Sequence, residues 1–93
     1  MKSFNENILV VDDDPDIREV LKDRLESLGY RVLLAATGAE ALELLEKQNP
    51  QVVLLDIEMP AMSGLEVLKE IRKRELDITV VMITAYGTIE RAV

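Results

Sequence analysis

Apolar and polar positions follow two different rhythms along this chain. Ile8-Leu9-Val10-Val11, Val32 to Ala36, Val52-Val53-Leu54-Leu55 and Ile78 to Ile83 are short, nearly continuous apolar runs rich in β-branched residues. Such runs are too short for helices and read as strands buried on both faces. Between them the spacing changes to three and four. Ile17, Val20, Leu21, Leu25 and Leu28 recur on that period behind Asp14 and Pro15, which suit an N-cap and a first helical position; Gly29 ends the stretch. Thr37-Gly38-Ala39-Glu40 has the form of a capping box, followed by the stripe Ala41, Leu42 and Leu45, which Asn49-Pro50 stops. Ser63-Gly64-Leu65-Glu66 repeats that form and leads Leu68 and Ile71 into a last turn carrying Arg72, Lys73 and Arg74. Thr88, Ile89, Ala92 and Val93 have the spacing of a further helix start.

This alternation predicts a single α/β domain: an open parallel sheet covered on both faces, with right-handed crossovers. Ligands of such sheets bind beyond the carboxyl ends of the strands, where the strand order reverses. The first strand finishes in Asp12-Asp13-Asp14, the third in Asp56 and the fourth in Thr84. If the order is 2-1-3-4, the first and third strands are neighbours and their acids share one crevice. Two carboxylates ~4 Å apart at an effective dielectric near 20 repel by about 4 kcal/mol. Either one takes up a proton or a cation settles between them. Oxygen donors alone point to a hard ion, and an open site favours Mg²⁺ that keeps several waters. Such an ion would hold Asp56 ionised and neutralise an incoming phosphoryl group, which suits in-line attack by an Asp carboxylate. Thr84 is placed to give its hydroxyl to a phosphoryl oxygen.

Taken singly, each of these residues has a plainer reading. Asp14 caps a helix, Asp12 and Asp13 are solvated charges in a loop, Asp56 caps the loop it opens, and Met59 and Met62 are packing groups. Their joint placement at three strand ends is what favours chemistry.

Composition narrows the choice. Ninety-three residues with 48% hydrophobic and 31% charged positions describe one globular domain. The absence of Cys and His excludes disulfides, thiolate or imidazole metal sites, His-based triads and a phosphohistidine carried by the chain itself. Eleven basic against eighteen acidic residues, a net charge of −7, argue against direct nucleic acid binding. No apolar run approaches the ~20 residues of a membrane span, and the polar start MKSFNEN lacks a signal-peptide core. A cytoplasmic protein that does not engage membranes is expected.

ILVVDDDPDIREVL, VVLLDIEMPAMSGLEVL and VVMITAYG, in that order, resemble the receiver domains of two-component response regulators. The TAYGTIERAV segment is most similar to receivers of sigma-54-dependent transcriptional activators. The resemblance implies a flavodoxin-like fold with order 2-1-3-4-5. It also implies that Asp56 accepts phosphate from a sensor histidine kinase or a phosphotransfer protein, controlling an output domain. Asp12 and Asp13 match the acidic pair of the Mg²⁺ site, Asp13 as the more direct ligand and Asp12 through water; Glu58 would add its backbone carbonyl. Thr84 matches the switch hydroxyl and Ala85 its small neighbour. By the same resemblance such a domain accepts phosphate more than it catalyses, although it assists its own dephosphorylation.

Receivers carry a lysine and an aromatic residue on a fifth strand, and residues 1–93 stop before both. The expectation is therefore a receiver domain with order 2-1-3-4 that lacks the fifth strand and last helix. Ile78 to Ile83 would then be an unpaired apolar edge, inviting self-association or domain swapping. Two other functions compete with the phosphoacceptor. One is a phosphate-independent interaction module. The other is a small Mg²⁺-dependent phosphohydrolase with an aspartyl nucleophile, which typically needs a second Asp at the position Glu58 occupies.

Overall fold

The computed structural model describes residues 7–83 in full and the backbone of residues 89–92. Strands β1 (Asn7–Val11), β2 (Arg31–Ala35), β3 (Val52–Asp56) and β4 (Thr79–Ile83) alternate with helices α1 (Pro15–Ser27), α2 (Gly38–Gln48) and α3 (Gly64–Lys73); β5 (Ile89–Ala92) follows. The sheet order is β2-β1-β3-β4-β5, the first four strands parallel. The apolar runs and the order 2-1-3-4 stand where the sequence put them.

Each helix starts where its capping residue demands. Asp14 accepts from the Asp16 N–H, Thr37 from the Glu40 N–H and Ser63 from the Glu66 N–H, so each side chain satisfies a first-turn donor that has no partner inside its helix. Helix α2 stops at Asn49, whose backbone is left-handed with φ 48°, and the turn after α1 uses Gly29 at φ 98°.

Alternation along the strands sends successive side chains to opposite faces. Leu9, Val11, Ala35, Val53, Leu55, Val80 and Met82 form one face and pack with Ala41, Leu42 and Leu45 of α2 and Val67 and Ile71 of α3. Among the described residues, the opposite face receives α1, running beside β1 and β2. None of its residues is buried, and Ile17, Val20 and Leu28 are 43%, 66% and 56% exposed. Both faces are covered as expected: among the described residues two helices pack on one side and one helix on the other.

One correction concerns the last strand. Ile89–Ala92 is extended and runs antiparallel to β4, pairing Ile83 with Ile89 and Val80 with Ala92. The sequence spacing had suggested a helix there, and an open β4 edge suited to self-association. Two turns of helix are marginal without packing, whereas the unpaired N–H and C=O groups of an apolar edge offer a following segment a full ladder. The edge of β4 is taken by the chain itself.

Candidate functional site

Register alone brings the acids together. Val11 of β1 pairs with Leu55 of β3, so one step further Asp12 and Asp56 are neighbours. They continue the alternation of Ile8 and Val10 and of Val52 and Leu54, so both point to the α1 side. Asp13 follows on the turn into α1. One carboxylate oxygen from each of Asp12, Asp13 and Asp56 lies within 4.8 Å of the other two.

Their surroundings differ. Asp12 is buried at 4% exposure and well anchored. Its N–H donates to the Ala35 carbonyl at 3.1 Å, its Oδ1 accepts the Asp14 N–H at 2.9 Å, and its carbonyl accepts Arg18 Nη1 at 2.7 Å. Asp13 is exposed and Asp56 half-buried. Asp56 Oδ1 accepts the Glu58 N–H at 3.2 Å. Burial pushes the Asp56 carboxyl up to about 6, and the nearby Asp12 and Asp13 charges push the same way against the stabilising Glu58 N–H. At neutral pH it is still mostly ionised, roughly ten to one.

These groups line a cleft of about 220 Å³ with Asp14, Ile17, Glu58 and Ile83. A carboxylate trio with oxygen donors only, partly open to water, fits a hard divalent cation and does not fit a soft one. Among the described residues this is the one group of acids converging so closely.

The structure therefore gathers Asp12, Asp13 and Asp56 and sets Glu58 on the same cleft. Thr84 and Ala85 lie outside the described residues. Asp14 caps α1, as its plainer reading held, and Met59 and Met62 pack against the core. Sequence reading missed Arg18, whose guanidinium ties the first turn of α1 to the acidic turn. A signal was available: a basic residue six positions after Asp12, on a helix that begins two residues beyond Asp13.

Comparison with known proteins follows the geometry. The family model for the response regulator receiver domain matches residues 8–93. The protein named "Sporulation initiation phosphotransferase F" of Bacillus subtilis is 41% identical over 87 residues, covering 94% of this chain and 70% of its own. The protein named "Probable transcriptional regulator ycf27" of Porphyra purpurea is 44% identical over 89 residues, covering 96% of this chain and 36% of its own. The chain thus spans about a third of that relative's length. Among solved structures, the response regulator TrrA of Thermotoga maritima in complex with Mg²⁺-BeF has a TM-score of 0.82 and 51% identity, covering 87% of this chain and 70% of its own. TrrA in complex with the histidine kinase ThkA gives a TM-score of 0.82 and 49% identity, covering 89% and 72%. Among the described residues no helix is long and apolar enough to cross a membrane.

Proposed function

The chain belongs to the response regulator receiver domain family, and from that premise we propose that Asp56 is its phosphoacceptor, with Mg²⁺ bound by Asp12, Asp13, Asp56 and the Glu58 carbonyl. One observation carries the reading: three carboxylates from two adjacent strand ends converge within 4.8 Å at the mouth of a single cleft. A sensor histidine kinase or a phosphotransfer protein is the proposed donor, in keeping with the kinase complex of TrrA.

In the transfer, an Asp56 carboxylate oxygen attacks the phosphorus of a phosphohistidine. The P–N bond breaks, its electron pair returns to the imidazole nitrogen, and an acyl phosphate forms on Asp56. When bound, Mg²⁺ supplies charge neutralisation for the phosphoryl oxygens. The chain's own part is positional. Asp12, fixed by three hydrogen bonds, holds one wall of the site, and the Glu58 N–H orients Asp56. Arg18 supports the turn that carries Asp13. Thr84 is proposed as the hydroxyl that meets the phosphoryl group. The domain serves phosphotransfer as a substrate, and it assists the later hydrolysis through the same groups. Control of a transcriptional output is proposed by analogy with the longer relatives, with the cytoplasm as its compartment.

Intact mass spectrometry tests this directly. Mg²⁺ with a small acyl phosphate donor should add one phosphate to the wild type and none to Asp56→Asn. Phosphate still added to that variant would reject Asp56. Weak Mg²⁺ binding with no mass change on the wild type would leave an interaction module, and turnover of a generic phosphate ester would indicate a hydrolase.

A further inference from the structure

Helix α3 begins hard against the backbone of Asp56. A Cβ on Gly64 would collide with the Asp56 carbonyl oxygen and lie 2.9 Å from the Ile57 Cα. Actual Cβ atoms essentially never come within 3.0 Å of a neighbour, and these neighbours are backbone atoms that cannot swing aside as a side chain does. Gly29 is the described glycine with a left-handed φ, and Gly64 has none. The demand for glycine at position 64 is therefore one of space, not of backbone conformation.

The same stretch is held from two sides. Gly64 N–H donates to the Ile57 carbonyl at 2.9 Å, and Ile57 N–H donates to the Ile83 carbonyl of β4 at 3.0 Å. Asp56 thus sits at the start of a segment pinned between β4 and the first residue of α3, and its carboxylate inherits its place from that backbone. The N-cap of α3 is the neighbouring Ser63, so capping does not account for Gly64.

We propose that Gly64 is a positioning residue for the phosphoacceptor: its missing Cβ lets α3 seat on the Asp56 carbonyl, which sets the Asp56 carboxylate within reach of Asp12 and Asp13. The proposal rests on the reading of Asp56 given above. A methyl group at position 64 must therefore push the two backbones apart, since it would otherwise lie well inside the 3.0 Å limit against the Asp56 carbonyl oxygen. Displacement on the order of 1 Å at a reacting centre slows a reaction by about 100-fold, and lost support behind a metal ligand weakens binding by about 10–100-fold.

The test compares Gly64→Ala with Ser63→Ala, both in the full chain, by Mg²⁺ calorimetry and by phosphorylation with a small acyl phosphate. Both variants perturb the start of α3, but only the first intrudes on Asp56. Gly64→Ala is expected to weaken Mg²⁺ binding at least about tenfold and slow phosphorylation about 100-fold among folded molecules. Ser63→Ala is expected to keep both within about twofold. Wild-type affinity and rate in Gly64→Ala, or equal losses in Ser63→Ala, would overturn the proposal. Should Gly64→Ala fail to fold, a Mg²⁺ titration of the wild type by amide NMR takes its place. The Gly64 resonance must then shift with the same midpoint as Asp13, and an unmoved Gly64 overturns the assignment. A wild type that binds Mg²⁺ but takes no phosphate refutes the phosphoacceptor reading, and the calorimetric comparison still judges Gly64.

Discussion

The two faces of the sheet are built from the same strands yet do different work. On the α2–α3 side, Leu9, Val53 and Leu55 are fully buried between strands and two helices. On the α1 side Ile8, Val10 and Asp12 are buried, while Val32, Leu34, Val52, Leu54, Val81 and Ile83 remain partly open. The acids belong to the second side, since Asp12 and Asp56 extend its alternation. The covered face supplies cohesion. At the carboxyl edge of the second side Asp13 is exposed and Asp56 half-buried, which keeps water within reach of charged groups that would be costly to enclose. Alternation along a strand is thus also a division of labour between packing and chemistry.

Substitutions that respect that division should rank in order. Leu55→Ala on the sealed face should cost about 2–5 kcal/mol in urea unfolding, and Leu54→Ala, one residue away on the open face, less than half as much. Equal losses would erase the contrast. Mg²⁺ at about 100 times its Kd should stabilise the wild type by about 2.7 kcal/mol, an effect that Asp13→Ala largely removes and Leu55→Ala leaves intact. Asp56→Asn should raise stability at pH 7 by on the order of 1 kcal/mol, a figure reduced for solvent screening of a half-exposed group.

The pH dependence follows from the same carboxyl. Its folded value of about 6 lies above that of an ordinary Asp, so the native state holds the proton more tightly than the unfolded chain. The stabilisation is complete below about pH 4 and is lost as pH rises through about 6. Unfolding titrations from pH 4 to 7, without Mg²⁺, should show this decline in the wild type and not in Asp56→Asn. Smallest of all, Val20→Ala on the exposed flank of α1 should change stability by less than about 0.5 kcal/mol.

The sequence made the strands and caps legible because each is a local matter. Continuous apolar runs need two-sided burial, and Asp14, Thr37 and Ser63 announce helix starts by their own side-chain chemistry. The acidic trio was legible because register follows from strand order. Where partners come from elsewhere, local reading failed. The period of α1 marks Ile17, Val20 and Leu28 as apolar, but whether they are covered depends on what lies across the sheet. Ile89 and Ala92 carry helical spacing, yet an open ladder on β4 decides their conformation. The need for Gly64 is visible only once α3 is seen to touch Asp56. Arg18 likewise shows its purpose only when its reach to the Asp12 carbonyl is known.

Arg74, just beyond α3, contacts Glu46 of α2 at 2.6 Å and Glu70 of α3 at 3.0 Å. It fastens these helices together at the ends remote from Asp56, while their opposite ends meet where Gly38 adjoins Met62 and Val67. The two helices are thus held at both ends, by a water-exposed ion pair at one and by close packing at the other, so added salt should loosen only the first.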